Sequence, residues 1–325
     1  MLRHIITVGA SAVLSGVLGY FLLPVLRALK AGQSIRELGP TWHNKKAGTP
    51  MMGGLMFIGA AIIWMLICLS GMKDYTAFYV LGLALCFGFI GFLDDFTKIK
   101  FKRNLGLTSL QKALLQMAVS ALYLYILYRT NNLSNRLYIP FVGWTGEIHI
   151  IAYIFIAMFI MVGGVNAVNL TDGVDGLCGT VTIPVMAFFA IVGYTHGKQD
   201  LALLPACLVG ALAAYLIYNW HPAKVFMGDT GSLFLGGAVC GMAFALDMPF
   251  VLVLVGIVYL VETLSVIMQV GYFKLTHGKR IFKMTPIHHH FEMCGWKEVK
   301  IVLVFTFVCA LMCVVAWFGL AGFAA

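Results

Sequence analysis

Ten long apolar runs constrain this chain more than any other feature of its sequence. They cover approximately residues 5–29, 51–71, 75–93, 110–128, 149–168, 180–195, 201–218, 232–247, 250–272 and 299–320. About 20 apolar residues in a helix cross a bilayer, and continuous rather than alternating runs disfavour a β-barrel. The chain is 61% hydrophobic and only 11% charged, so a soluble fold could not cover its surface. The sequence predicts an all-α, polytopic membrane bundle of about ten helices, forming a single transmembrane domain over residues 1–325.

Lys and Arg residues divide unequally between the two ends of these runs. Segments on one side carry 17 of the 22, and the positive-inside rule assigns that side to the cytoplasm. Because the number of spans is even, both termini are expected outside. The net charge of +9 then belongs to the inner surface, where it suits anionic lipid headgroups or a phosphorylated substrate. Nucleic acid is a weaker alternative, because the sequence contains no soluble binding module.

Two further features carry little chemistry. A β-prone run at residues 137–142, followed by Gly143 and Gly146, predicts a small hairpin on the outer face. Six of the eight cysteines fall within the apolar runs, where they are expected to be small packing residues. The sequence has no CxxC motif, so a zinc or iron–sulfur site is disfavoured.

Acidic residues gather at the inner ends of the spans, beside glycine or an aromatic residue. The five cytoplasmic aspartates are Asp94, Asp95, Asp172, Asp175 and Asp229. A solvated loop does not require this placement. It therefore indicates a functional site at the inner membrane surface.

The first pair of acids ends the third apolar run, in GFLDDFTK. Adjacent residues diverge by about 100° on a helix, so Asp94 and Asp95 are expected to serve one site only if the helix ends there. Carboxylates at a helix C-terminus oppose the macrodipole. A cation, or the lysines Lys98 and Lys102, should compensate them. The plainer alternative is an interfacial cap.

The second acidic segment is NAVNLTDGVDG, at residues 166–176. Asp172 and Asp175 are three positions apart, and they share a face if the next helix has begun. Two like charges so close require a cation or a proton between them. Alternatively, Asn169 or Thr171 caps the next helix.

Two later segments bring further polar groups to the same edge. In YNWHPAKVFMGDTGS, Pro222 stops the seventh helix, and Asp229 with Ser232 could simply cap the eighth. In KMTPIHHHFE, Thr285 and Pro286 are predicted to be the N-cap and first turn of a short helix. Imidazoles at a helix N-terminus suit an anion.

The three histidines at 288–290 point to different faces of a helix, so one metal cannot take all three. Glu262 lies about 18 Å into the ninth span, at 1.5 Å per residue, and an intramembrane carboxylate is a functional candidate. Its alternative is a hydrogen bond within the bundle, near Gln269 or an unwound turn.

An inner loop, NKKAGTPMMGG, offers lysines and glycines to an anion, although Lys45 and Lys46 taken alone are better explained as positive-inside anchors. Four inner loops thus bring Asp or His, and several bring Lys, to one membrane face. This pattern predicts a phosphate-handling site. Mg²⁺ suits carboxylate and phosphate oxygens.

Five motifs, LDDFTK, NLTDGVDG, FMGDTGS, GTPMMGG and PIHHHFE, resemble the bacterial phospho-N-acetylmuramoyl-pentapeptide transferases. That family belongs to the polyprenyl-phosphate N-acetylhexosamine-1-phosphate transferase superfamily, and the resemblance covers essentially the whole chain. The aspartate motifs are shared across the superfamily, whereas PIHHHFE and GTPMMGG indicate the muramoyl-pentapeptide branch. The family often has Thr where this chain has Met51.

The resemblance implies transfer of phospho-MurNAc-pentapeptide from UDP-MurNAc-pentapeptide to undecaprenyl phosphate, giving lipid I and UMP. It implies a Mg²⁺-dependent homodimer in the bacterial inner membrane, with its active site facing the cytoplasm. The implied catalytic residues are Asp94, Asp95, Asp229 and His288, with Asp229 as the metal ligand. The implied substrate-binding residues are Lys46, Lys98, Lys102, Lys112, Asn166, Asp172, Gly173, Asp175, Asn219, Phe226, Gln269 and His289. Gly173, Asp175 and Phe226 match a uridine pocket, with Asn166 and Asp172 orienting that loop from behind.

Two other functions stay open at this stage. One is a sibling transferase that uses UDP-GlcNAc. The other is an ion-coupled transporter with a broken helix at NAVNLTDGVDG, but transporters place coupling sites near the midplane, whereas these acids crowd the inner edge.

Overall fold

The computed structural model describes residues 1–29, 48–101 and 105–322, and in these ranges the chain forms twelve α-helices and one two-stranded hairpin. The helices are α1 Leu2–Ala28, α2 Leu55–Cys68, α3 Thr76–Phe101, α4 Ser109–Arg129, α5 Ile150–Thr171, α6 Leu177–Thr195, α7 Leu203–Asn219, α8 Gly228–Ala245, α9 Leu252–Val255, α10 Ile257–Leu275, α11 Ile287–Met293 and α12 Glu298–Phe318. Two of the predicted substrate-binding residues, Lys46 and Lys102, lie outside the described residues.

The apolar runs all coincide with helices, which confirms a multi-pass helical membrane protein. Among the described residues, α1, α3, α4, α5, α6, α10 and α12 are long and apolar enough to cross a membrane, and shorter apolar helices occupy residues 55–71 and α7. The ninth predicted span is divided into α9 and α10, with Gly256 between them.

Helix α3 is longer than the sequence predicts, because it continues past residue 93 to Phe101. Lys98 lies one turn beyond Asp94, and their charged atoms are 2.6 Å apart. Lys98 and Lys100 occupy the last turn, where positive charge offsets the helix dipole. The charges that follow the apolar run therefore extend the helix instead of ending it.

Helix α8 is the central element of the bundle. Every residue from Thr230 to Ala245 is buried, and the helix packs mainly against α3 and α5. A Cβ at Gly237 would lie 2.9 Å from the Cα of Ala84, and one at Gly236 would lie 2.7 Å from the Cα of Val165. Small residues thus allow three helix backbones to approach closely, and they hold the first turn of α8 between α3 and α5.

The predicted hairpin is present between α4 and α5. Strands β1 (Tyr138–Ile139) and β2 (Gly143–Trp144) are antiparallel, with Tyr138 opposite Trp144. The Tyr138 hydroxyl donates to the carbonyl of Gly319, and its backbone N–H donates to the carbonyl of Asp247. The hairpin therefore joins the ends of α8 and α12.

Candidate active site

Three carboxylates meet where α3 passes the first turn of α8. One oxygen each from Asp94, Asp95 and Asp229 lies within 4.8 Å of the others. The expectation that Asp94 and Asp95 can share a site only where their helix ends is wrong, because both lie inside α3. They share it because Asp95 faces the N-terminus of α8 and Asp229 lies between the two diverging side chains.

Asp95 is fully buried and binds the N-terminus of α8. Its Oδ2 accepts the backbone N–H of Thr230 at 2.9 Å and the Thr230 hydroxyl at 2.7 Å, and its Oδ1 accepts the N–H of Asp229 at 3.2 Å. The first N–H groups of a helix lack partners within the helix, and they attract negative charge. Asp95 therefore fixes the turn that carries Asp229. That turn begins at Gly228, so Asp229 lies inside the helix, and no side chain of α8 caps it.

Asp94 is also fully buried, and the segment entering α4 holds it in place. Its Oδ1 accepts the backbone N–H of Leu107 at 2.7 Å. A Cβ at Gly106 would overlap the Asp94 side chain, so glycine allows this close approach. Its other oxygen, Oδ2, faces Lys98 at 2.6 Å.

Two lysines neutralise much of the charge on the three carboxylates. The Nζ of Lys98 lies 3.2 Å from Oδ2 of Asp229, and the Nζ of Lys112, from α4, lies 2.7 Å from the same oxygen. Lys112 also reaches Oδ2 of Asp94 at 3.1 Å. The contact of Lys98 with Asp94 confirms the predicted compensation, whereas Lys112, implied only as a substrate-binding residue, also binds the aspartates.

Asn169 belongs to this site, although the sequence analysis considered it only as a helix cap. Its Nδ2 donates to Oδ1 of Asp229 at 3.0 Å and to the Ser232 hydroxyl at 2.8 Å. The predicted residue Asn166 lies one turn earlier and exchanges hydrogen bonds with Gln116 of α4. The sequence did contain a signal for Asn169: it lies about one turn after Asn166, on the helix that leads into the acidic loop.

The carboxylate cluster fits a hard divalent cation. Asp94, Asp95 and Asp229 offer oxygen ligands, which such cations prefer. Asp95 uses both of its oxygens on α8, so Asp94 and Asp229 are the residues better placed to hold an ion. Their present cationic partners, Lys98 and Lys112, show that the site already attracts positive charge.

The loop between α5 and α6 does not place Asp172 and Asp175 on one helical face. Helix α5 ends at Thr171 and α6 begins only at Leu177, with Gly176 at its N-cap, so neither Asn169 nor Thr171 caps it. Burial, together with the negative charges of Asp229, Asp95 and Asp175, raises the pKa of Asp172 to about 8. This carboxyl therefore favours its protonated form at neutral pH.

Asp175 is held on the opposite side of that loop. Its Oδ2 lies 3.0 Å from Nδ1 of His221 and accepts the backbone N–H of Ala223, also at 3.0 Å. Oε2 of Glu298, at the start of α12, lies 3.6 Å from the same His221 nitrogen. Asp175, His221 and Glu298 therefore join the α5–α6 loop, the α7–α8 connection and α12.

Asn219 and Phe226 shape the same region through the backbone. Oδ1 of Asn219 accepts the N–H of Gly176, whose φ of 79° suits glycine, and its Nδ2 donates to the carbonyl of Val225. The N–H of Phe226 donates to the carbonyl of Pro50, beside the buried Met51. Hydrogen bonds thus connect the loops that carry the predicted uridine-pocket residues.

The histidine segment forms the short helix α11. It begins at Ile287 with Pro286 as N-cap and no side-chain cap, so the predicted N-cap at Thr285 is wrong. The three rings diverge as predicted: Nδ1 of His289 lies 2.6 Å from Glu292, and Nδ1 of His290 accepts the N–H of Lys283.

His288, the predicted catalytic histidine, is fully buried and contacts Glu262. The predicted hydrogen bond of Glu262 within the bundle is present, because Oε2 accepts the backbone N–H of His288, and it lies at the start of α11 and not beside Gln269. Gln269 instead organises the segment before α11, because its Oε1 accepts the N–H groups of Ile281 and Phe282.

Comparison with known proteins decides which family this arrangement belongs to. The sequence model described as Glycosyl transferase family 4 matches residues 77–247, which include all three clustered aspartates. A phospho-N-acetylmuramoyl-pentapeptide-transferase of Clostridium perfringens is 49% identical over 98% of this chain and 97% of that relative. The chain belongs to the phospho-N-acetylmuramoyl-pentapeptide-transferase family.

Other bacteria carry similar members of the family. The Clostridium acetobutylicum transferase is 47% identical over 93% of this chain and 94% of its own length. The Geobacillus kaustophilus transferase is 43% identical over 93% of each chain. As a member of this transferase family, the chain is an enzyme, and the family likeness extends well beyond the aspartate cluster.

Proposed function

We propose that this protein transfers phospho-MurNAc-pentapeptide from UDP-MurNAc-pentapeptide to undecaprenyl phosphate, releasing UMP and forming lipid I. The observation that carries the proposal is the meeting of Asp94, Asp95 and Asp229 with Lys98 and Lys112 at one edge of a membrane bundle. Phosphoryl transfer requires chiefly positioning and charge stabilisation. A cluster of acids and ammonium groups at a membrane edge supplies both to a polar donor and a lipid acceptor.

Mg²⁺ is the proposed cofactor, held by Asp229 with Asp94. When bound, it would neutralise charge on the diphosphate and on the departing UMP. Lys98 and Lys112 now bind Asp229 and Asp94, and they would turn to phosphate oxygens as the substrates arrive. Asn169 orients Asp229 throughout, because its amide donates to the oxygen that the lysines do not contact.

The reaction proceeds by direct attack of the lipid phosphate on the β-phosphorus. The new P–O bond forms as the bond to UMP breaks. A phosphate monoester has a second pKa near 6, so the acceptor is largely dianionic and Asp94 has mainly to position it or take a remaining proton. Asp95 is a poor nucleophile for a covalent route, because both of its oxygens accept hydrogen bonds from α8. Trapping a sugar-phosphoryl enzyme without lipid acceptor would contradict direct attack.

The nucleoside end of the donor is assigned to the loops around Gly173, Asp175 and Phe226, with Phe226 stacking on uracil. The carboxylate cluster is assigned to the cytoplasmic face of a bacterial inner membrane, because most of the lysines and arginines accompany it. We further propose that the chain is a single transmembrane domain and works as a homodimer.

Release of UMP by the purified protein in lipid vesicles tests this function. We expect release with UDP-MurNAc-pentapeptide and undecaprenyl phosphate, loss of release with a chelator, and recovery with Mg²⁺. Asp229→Asn should reduce the rate by at least a hundredfold, whereas Glu147→Gln, at an exposed carboxylate in the hairpin segment, should not. Turnover of UDP-GlcNAc alone would overturn the choice of donor.

A further inference from the structure

Glu262 is a fully buried carboxylate in the second turn of a membrane-spanning helix, α10. An ionised carboxylate without a partner is strongly destabilising in such a place. Among the described residues, its ion-pair partner is His288 of α11, which is also fully buried. The proposed reaction does not otherwise use Glu262.

Both oxygens of Glu262 face the start of α11. Oε1 lies 3.0 Å from Nδ1 of His288, and Oε2 accepts the backbone N–H of the same residue at 3.4 Å. The contact at Nδ1 is an ion pair by distance, while its angle falls outside that of a hydrogen bond. Glu262 therefore constrains both the ring of His288 and the backbone that carries it.

The other ring nitrogen of His288 has no such partner. Nε2 is buried and makes no hydrogen bond to any residue in the described ranges. It lies against Gly173, where a Cβ would overlap the imidazole. Leaving a buried polar atom unpaired is unfavourable. An arriving ligand that pairs with Nε2 recovers this free energy, and Gly173 places that ligand beside the α5–α6 loop.

We propose that Glu262 is the positioning residue that fixes the imidazole of His288, so that Nε2 meets a polar group of the nucleotide sugar. This inference rests on the proposed function. Glu262 contacts both Nδ1 and the backbone N–H of His288, so the carboxylate sets the direction in which Nε2 points. In that direction lies Gly173 of the α5–α6 loop, which is assigned to the nucleoside end of the donor.

Other titratable groups surround His288 less directly. On its own helix, the ring of His289 is centred 4.1 Å away, and His289 itself contacts Glu292. On the α5–α6 loop, Asp172 precedes Gly173. At the start of α12, Glu298 faces His221 instead. Glu262 is thus the group whose charge acts on Nδ1.

Steady-state kinetics of Glu262→Gln test the proposal, with Ser265→Ala as the matched control on the same buried face. The Ser265 hydroxyl donates to the backbone carbonyl of Glu262 and leaves the carboxylate untouched. We expect E262Q to lower kcat/KM for the nucleotide sugar by at least tenfold. KM for undecaprenyl phosphate should stay within twofold of the unmutated enzyme.

A double-mutant cycle of nucleotide-sugar binding distinguishes a positioning role of Glu262 from an effect on folding. Nucleotide-sugar affinity should fall at least tenfold for E262Q in the original chain, but less than twofold when it is added to His288→Gln. Glu262→Asp, which keeps the carboxylate, should retain most of the nucleotide-sugar affinity, and it tests the contact with His288 if E262Q does not fold.

A loss of affinity that is equal in both His288 backgrounds would overturn the role of Glu262. An unmutated enzyme that releases no UMP would instead overturn the proposed function, and with it this inference.

Discussion

Asp95 of α3 accepts the backbone N–H of Thr230 at 2.9 Å and its hydroxyl at 2.7 Å, so a carboxylate from one helix stabilises the N-terminus of another. Helix α8 has no capping side chain of its own. The two adjacent acids therefore have different roles. Asp95 holds the turn that presents Asp229, and Asp94 faces the lysines.

The role of Asp95 predicts that its loss affects stability as well as activity. Asp95→Asn should lower both activity and stability, with a free energy of unfolding reduced by about 1–3 kcal/mol, because an amide cannot accept all three hydrogen bonds. Thr230→Val, which removes only the hydroxyl, should give a smaller loss. Thermal unfolding in detergent, measured beside UMP release, checks both. An inactive D95N protein of unchanged melting temperature would argue for direct chemistry at Asp95.

The contact between Gly173 and His288 predicts that Gly173→Ala inactivates the enzyme. The added methyl group would overlap the imidazole, and such overpacking costs typically about 1–3 kcal/mol. We expect at least a tenfold loss in kcat/KM for the nucleotide sugar. Gly163→Ala is the control, because a Cβ there meets nothing within 4 Å. Equal activity of the two variants would show that the loop moves away from His288 during turnover.

The hydrogen bond from Asn169 to Asp229 predicts a change in cation requirement. Groups that orient a metal ligand typically contribute about 10–100-fold in metal affinity. Asn169→Ala should therefore raise the Mg²⁺ concentration for half-maximal UMP release by roughly tenfold. Ser232→Ala removes the other acceptor of the Asn169 amide and a donor to the carbonyl of Gly228, but it leaves the bond from Asn169 to Asp229 and should change this concentration little. Unaltered Mg²⁺ dependence in N169A would remove Asn169 from the site.

The raised pKa of Asp172 predicts a pH-dependent stability in the chelated enzyme. Burial and neighbouring acids raise this pKa to about 8, above its ordinary value near 3.9. The folded state therefore binds the proton more tightly than the unfolded chain does. The resulting stability is complete below about pH 4 and is lost as the pH rises through about 8.

Asp172→Asn, which is neutral at every pH, should lessen this decline. We expect its melting temperature to fall less between pH 6 and pH 9 than that of the unmutated enzyme, with both measured in a chelator. The control Glu147→Gln alters an exposed carboxylate and should keep the original slope. A slope that D172N leaves unchanged would assign the pH dependence to other groups.

Local patterns in the sequence were enough to predict the helices, because membrane-spanning length and hydrophobicity are properties of continuous segments. The end of α3 could not be predicted from hydrophobicity. Residue 93 closes the apolar run, but the contact of Lys98 with Asp94 one turn away carries the helix to Phe101. The break at Gly256 was missed for a similar reason, since the residues on both sides are apolar.

The sequence by itself determined that this chain crosses a membrane many times and that Asp94, Asp95 and Asp229 lie where apolar runs end or begin. Only the tertiary structure decided which of these groups meet. Asp95 binds α8 and Asn169 binds Asp229 because α3 and α5 pack against a helix of small residues, and Glu262 contacts His288 where α10 packs against α11. Periodicity describes one helix at a time, whereas a pairing between helices depends on backbone approach and on the need of every buried charge for a partner.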